Sequence, residues 1–356
     1  MRVYMMGVHM DRRSFLRVAA STAAAFAFSS APGRAGADGK LEVMTVNGPI
    51  DASEMGVTLT HEHVIADVRP IREQIANPVV PDIGEVVDVA LPHLERIREF
   101  GCRTLIDATG VGIGRHAVVV RRLAEESGLN MLCTTGAYAA ADYQFLPSWA
   151  RAESVDALAA RWIDEADNGI EGAGVRPGFI KLSVNGGPLS EIERKLIRAA
   201  AIAHLETGLT IGVHTRLAAA AFEQLASLGE AGVHPSAWIW IHAQAEPDPA
   251  RLIEAAKSGA WISFDGVAPD TVAAHVEKVK RMRDEDLLGR VLVSQDAGWY
   301  SVGEPRGGDF RSFDTVFTSF IPMLREHDFS QSEIDTIFVR NPAEAFSIRV
   351  RSDGFQ

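Results

Sequence analysis

Short apolar runs alternate with longer amphipathic ones from about residue 41 to residue 300, and the alternation is regular enough to predict elements one by one. The stretch 56–63 has the β-branched, period-two character of a strand. Residues 82–100 then carry Val86, Val87, Ala90, Leu91, Leu94 and Ile97 at helical spacing, and Gly101 closes that helix. The same reading gives strands at 103–109, 130–136, 178–184, 210–215, 237–242, 260–265 and 290–296. Between them it gives helices at 115–127, 154–168, 189–207, 217–229, 249–258 and 270–283. Strands separated by helices pair in parallel, and eight such units in a chain of this length predict an α/β fold closed as a (β/α)8 TIM barrel in a single domain. An open doubly wound sheet would call for a G-x-G-x-x-G turn opening a helix, and the chain has none.

A barrel of this kind places its active site at the C-terminal ends of the strands. His61 and His63 stand two apart at the end of the first strand, so both project from one face, close enough to share a metal ion. The fourth strand carries Lys181, the fifth ends in His214, the sixth in His242 and the eighth in Asp296. Any one of these histidines alone reads as a hydrogen-bonded core residue. Together they bring four imidazoles, a carboxylate and a lysine to one mouth, which chance would not deliver. The remaining histidines, His9, His93, His116, His204, His234, His275 and His327, fall in the N-terminal segment, in helices or in loops, and read as surface or packing residues.

Composition adds bounds to this picture. The chain has 356 residues, 47% apolar, with two cysteines. Cys102 and Cys133 each sit in an apolar run and read as small core residues. Arg12-Arg13 precedes an uncharged run, 18–31, too short to span a bilayer, and Ala35-Gly36-Ala37 then offers a small-x-small cleavage site. Residues 1–37 are therefore expected to be a twin-arginine signal peptide, with Met10 as an alternative start, followed by the barrel at 38–356. The expected localisation is periplasmic or secreted, with the twin-arginine export machinery as a partner. Removing that segment takes away five arginines and one aspartate, which moves the formal charge from −12 to −16. So acidic a surface argues against nucleic acid and anionic membranes as partners.

The runs Thr-His-Glu-His (60–63), Phe-Ile-Lys (179–181), Val-His-Thr (213–215), Ile-His (241–242) and Ser-Gln-Asp (294–296), in this order and on these strands, resemble the phosphotriesterase family of the amidohydrolase superfamily. The resemblance extends over about 46–346. It implies two divalent metal ions, zinc foremost, with manganese, cobalt or iron as other occupants. His61, His63 and Asp296 would hold the first ion and His214 and His242 the second, while Lys181, carboxylated to N6-carboxylysine, would bridge them. A hydroxide shared by the ions would be the nucleophile and Asp296 its proton acceptor. Tyr138 resembles the aromatic that family lactonases place over the metals, where it would donate to a substrate carbonyl or else act as a packed loop residue.

The sequence also departs from the family. Ala245 stands where a relay aspartate is expected, and Gly266 stands where a relay histidine is expected. Asp265 remains, either to orient substrate or to cap the next segment. The expected activity is hydrolysis of a small-molecule lactone or carboxylic ester. Organophosphate hydrolysis is the alternative, and a non-catalytic binding protein on the same barrel is the competitor from another class. A homodimer is kept open. Two local expectations complete the reading. The loop 297–310, with Trp299, Tyr300 and Arg306, should shape the substrate pocket. Trp240 should share the inward face with His242, with room made by Gly212.

Overall fold

The computed structural model describes residues 41–353; the signal and cleavage-site expectations lie outside the described residues. The described chain opens with an antiparallel hairpin, β1 (Glu42–Thr45) and β2 (Gly48–Asp51). The parallel strands follow in order: β3 (Val57–Ala66), β4 (Cys102–Asp107), β5 (Asn130–Leu132), β6 (Thr134–Tyr138), β7 (Phe179–Ser183), β8 (Ile211–His214), β9 (Trp238–Ile241), β10 (Trp261–Phe264), β11 (Val291–Val293) and β12 (Gly298–Ser301). One ladder runs β6 to β11 and a second runs β12-β3-β4-β5, every pair parallel. β5 and β6 form one strand interrupted at Cys133, which joins the ladders on one side. On the other side, Asp296 N–H donates to His61 O at 3.0 Å and His63 N–H donates to Ala297 O at 2.9 Å. The ring is closed, and the expected (β/α)8 barrel is the observed fold.

The seven predicted helices are present with shifts of one to two residues, at 83–99, 117–127, 155–168, 191–207, 218–230, 249–257 and 272–284. Their ends follow local chemistry. Asp82 accepts from the N–H groups of Gly84 and Glu85 at the start of the first. Gly128 and Gly208 adopt left-handed conformations that stop the second and fourth. The C-terminal segment adds a feature with no counterpart in the periodicity. Val316–Phe320 and Thr336–Arg340 are π-helical turns running into Ile321–Glu326 and Asn341–Phe346. Each meets a proline, Pro322 or Pro342, one residue after the junction; proline supplies no N–H for the regular ladder, so the preceding turn widens. No helix among the described residues is long and apolar enough to cross a membrane.

The apolar core has two parts. Most of it lies between strands and helices, while Ile106, Leu132, Phe179, Ile239, Ile241, Trp261 and Leu292 belong to a separate cluster with Val43, Met55 and Phe346. Cys102 and Cys133 are buried free thiols, as expected.

Trp240 corrects the sequence reading. It belongs with the helix-side cluster, edge-on to Phe222 of helix 218–230, and its indole N–H donates to Thr215 O at 2.6 Å. Strand alternation ends at Ile241, and His242 has turned into a left-handed conformation, φ 64°, so the two-residue rule no longer links Trp240 to His242. The space at Gly212 serves Ile241 and Phe179 instead. A Cβ there would lie 2.9 Å from Ile241 Cδ1 and 3.3 Å from Phe179 Cε2.

Candidate metal centre

The centre is built outward from β3. The imidazoles of His61 and His63 emerge on one side, with Nε2 atoms 3.3 Å apart. His63 is oriented from behind, since its Nδ1 lies 2.8 Å from Thr109 Oγ1. Thr109 is anchored in turn by its N–H to Asp107 Oδ1 at 2.9 Å, while Asp107 Oδ2 accepts from Val64 N–H at 2.8 Å. This outer support keeps the other ring nitrogen aimed at the cluster, as the outer partners of metal-ligating histidines do.

Asp296 completes the first group. Its Oδ1 is 3.2 Å from His63 Nε2 and 3.6 Å from His61 Nε2. Single ligand atoms of His61, His242 and Asp296 all lie within 4.8 Å of one another. His242 also bridges to the other side, with ring centroids 5.0 Å from His61 and 4.4 Å from His214. Lys181 lies inside the barrel with 1% of its surface exposed and no ion pair among the described residues. Tyr138, at the end of β6, brings its hydroxyl 3.4 Å from His214 Nδ1. The sequence-derived set is thus gathered in one place.

Two of these residues hold strained backbones. His242 at φ 64° and Asp296 at φ 53° are both left-handed, which costs of order 1–3 kcal/mol each and is retained only where the surroundings enforce it. A buried carboxylate does so in each case. Asp265 accepts from His242 N–H at 2.9 Å and from Ser263 Oγ at 2.7 Å. It neither faces substrate nor caps the next helix; it positions His242. Glu62, fully buried between the paired histidines, accepts from Ser294 Oγ at 2.7 Å, Gln295 N–H at 3.0 Å and Ala297 N–H at 2.7 Å. Ser294 Oγ also accepts from His61 N–H at 3.0 Å. One carboxylate therefore fixes the break between β11 and β12 that presents Asp296, where the sequence predicts an uninterrupted strand.

Glu62 escaped the sequence reading, and Asp265 was read there in roles other than the one it has. The signal existed, because a glutamate inside an apolar strand is almost never fully buried without partners. The loop 297–310 divides between the cluster and the surrounding packing. Trp299 lies against His63, ring centroids 3.9 Å apart, and its indole N–H donates to Asp296 O at 2.8 Å. Tyr300 instead is buried and bonds Glu85 on helix 83–99, so it serves packing. Arg306 is exposed in a left-handed conformation.

Electrostatics favour cation binding. Burial, then Lys181, holds the His61 pKa well below its ordinary value, and burial, then His242, does so for His214; burial lowers His242 to about 4. All three imidazoles are therefore neutral donors at neutral pH. Burial alone would raise Asp296, but contact with His63 and the nearby Lys181 keeps it below the usual carboxylate range. Asp296 Oδ1 and His61 Nδ1 are buried without a hydrogen bond among the described residues. Neutral imidazoles, an anionic oxygen and polar atoms left unsatisfied make a donor set that fits divalent metal.

Comparison with known proteins agrees. The phosphotriesterase family matches residues 41–346. The phosphotriesterase homology protein of Escherichia coli is 30% identical over 295 residues, covering 82% of this chain and 98% of its own. An aryldialkylphosphatase of Saccharolobus solfataricus is 27% identical, covering 84% of this chain and 97% of its own. The crystal structure of a lactonase from Listeria monocytogenes superposes with a TM-score of 0.75 at 24% identity, covering 86% of this chain and 99% of that one, which establishes the shared fold. A match over nearly all the described residues, on a barrel whose strand ends carry this cluster, means that the chain belongs to the phosphotriesterase family.

Proposed function

We propose that the protein is a binuclear metal-dependent hydrolase of lactones or carboxylic esters. The observation that carries this reading is the convergence of His61, His63 and Asp296 with His242, His214 and the buried Lys181. In this reading His61, His63 and Asp296 would hold one ion and His214 and His242 the other, with Lys181, as its carbamate, supplying an anionic ligand to both. When bound, such ions activate water at neutral pH and polarise the scissile oxygen.

The protein's own groups carry the remaining steps. Asp296, with 27% of its side chain open to solvent, takes the proton lost by the attacking water and returns it to the departing alkoxide oxygen. Burial raises the Tyr138 pKa, so the phenol stays protonated and donates a hydrogen bond to the carbonyl oxygen as negative charge develops there. Trp299, against His63, helps exclude bulk water.

The preference for a carbonyl centre comes from what lies beyond Asp296. Ala243–Ala245 forms a short 3-10 turn, and Gln244 bonds to the main chain of Asp265 beside Gly266. Among the described residues, neither Ala245 nor Gly266 supplies an acid or base to extend the proton path there. A carbonyl reaction can recycle the proton from Asp296 to its leaving group, whereas loss of an acidic aryl oxide from a phosphotriester leaves that proton to be carried off. We expect kcat/KM for a lactone or ester to exceed that for an aryl dialkyl phosphate. Tyr138→Phe should lower the carbonyl reaction about two- to tenfold, the worth of one neutral hydrogen bond. A paraoxon-like substrate outrunning every lactone and ester tested would reverse the preference. The 27% identity to an aryldialkylphosphatase keeps that second reading alive. Metal analysis with an ester and lactone panel separates both from a binding protein.

Export by the twin-arginine route is the accompanying proposal, supported by the Arg12-Arg13 pair and the uncharged run after it. Replacing both arginines with lysine should trap the protein in the cytoplasm, as fractionation would report; unaffected export would refute the assignment.

A further inference from the structure

Two arginines stand next to ligand-bearing segments of the cluster, and neither has a carboxylate partner among the described residues. Arg216 follows His214 by two residues, after β8 has ended and before helix 218–230 begins. Its side chain is exposed and has neither an ion pair nor a hydrogen bond among the described residues. Arg311 approaches from the side of β12. Its guanidinium donates to Asp296 O at 2.9 Å and Gln295 O at 3.4 Å, which fixes it beside the strand-eight carboxylate while leaving its charge without an acidic partner among the described residues.

Several arginines elsewhere in the chain do meet carboxylates. Arg69 meets Asp67, Arg115 meets Glu165, Arg161 meets Glu153 and Arg194 meets Glu223. With 47 acidic and 35 basic residues, carboxylates are in excess, yet none closes on Arg216 or Arg311. Their position also carries a cost. A fixed positive charge beside a centre that gathers dications opposes the binding of those ions, and the Arg216 charge already adds to the lowering of His214 and His242. A cation retained at such a place is accounted for by an anion that arrives with the substrate.

We propose that Arg216 and Arg311 receive an anionic substituent of the substrate, a carboxylate or comparable oxyanion carried on the ester or lactone that the centre cleaves. The inference rests on the hydrolase reading above and narrows its substrate class. Guanidinium forks match the two oxygens of a carboxylate. Leu217, next to Arg216 and 39% exposed, offers an apolar surface for the carbon chain between the two ends of such a substrate.

The test compares 4-nitrophenyl butyrate with the 4-nitrophenyl monoester of glutaric acid on the metal-loaded protein. The two esters differ chiefly by the terminal carboxylate. The wild type should show kcat/KM about tenfold or more higher for the glutarate monoester. That advantage should shrink as ionic strength rises from about 0.01 to 1 M, where the screening length falls from roughly 30 to 3 Å. Arg216→Gln and Arg311→Gln should each narrow the ratio. Equal or lower kcat/KM for the anionic ester, or variants that lower both substrates by the same factor, would overturn the proposal. Binding supplies a readout independent of turnover. By calorimetry, free glutarate should bind the metal-loaded protein more tightly than butyrate, and Arg216→Gln should erase the difference. If neither ester is hydrolysed, the hydrolase reading falls, while the glutarate-to-butyrate comparison still decides whether the anion site exists.

Discussion

Lys181→Ala is expected to hold fewer than two metal ions per chain and to lose activity by a factor of about a thousand, with part of both restored by a short carboxylic acid such as propionate. Lys181 sits inside the barrel mouth, nearly fully buried, where an ammonium would face the ions the centre is proposed to hold. Burial lowers it to about 8, and the carboxylates of Asp296, Asp265 and Asp107 offset that only in part. Deprotonation is thus easier than for a surface lysine, and the neutral amine is the form that adds carbon dioxide. The product, a carbamate, is anionic with two oxygens, so it attracts both ions where the ammonium would repel them. Truncation to alanine also empties space in a packed barrel, a loss of roughly 2–5 kcal/mol by analogy with apolar truncations. Lys181→Met, close in volume, separates the effects: it should keep most of the thermal stability and still lose metal. Two ions per chain in the methionine variant would refute the bridging assignment.

Glu62→Ala should have the second largest effect, and on stability the largest. Its carboxylate is fully buried and accepts from three donors, Ser294 Oγ and the N–H groups of Gln295 and Ala297. Burial pushes its carboxyl up to about 8, while the bonds from Ala297, Ser294 and Gln295 pull in the opposite direction by favouring the ionised form. Removing it leaves three buried donors unsatisfied, at about 1–3 kcal/mol each, so a total of roughly 3–9 kcal/mol and a fall in Tm of order 10 °C are expected. Without the clamp, the left-handed Asp296 is no longer enforced, and metal held through Asp296 should be lost as well. Glu62→Gln preserves shape but keeps one acceptor oxygen and turns an amide NH2 toward donors. It should cost less stability than alanine while altering the visible spectrum of the cobalt-substituted protein, which reports ligand geometry. A glutamine variant with wild-type Tm, metal content and cobalt spectrum would remove Glu62 from any role in placing Asp296.

His61 and His63 were readable as a facing pair because strand alternation is a local property of the backbone, and their Nε2 atoms do lie 3.3 Å apart. Asp265 was visible as a remaining acid, but its service to His242 was not, since the two are 23 residues apart and meet only across adjacent strands. Tyr300 looked like a pocket residue from its loop and became a packing residue, because β12 pairs with β3 and turns its ring toward Glu85.

The sequence by itself determined the alternation of strands and helices, hence the closed barrel, and the order in which histidines, lysine and aspartate reach the strand ends. These follow from periods of two and 3.6 residues and from helix stops at Gly128 and Gly208, which each segment carries within itself. Only the tertiary structure decided which way the chain faces once a strand has ended. Trp240 turned to the helices while His242 turned to the cluster, and Asp296 reached it through a break in its strand. The reason is that left-handed backbone at non-glycine positions is locally unfavourable and appears only where distant groups outweigh its cost. Here those groups are Asp265 and Glu62, buried carboxylates that accept from His242 and from residues 294–297 beyond their own strands, and neither partnership is written in the local pattern.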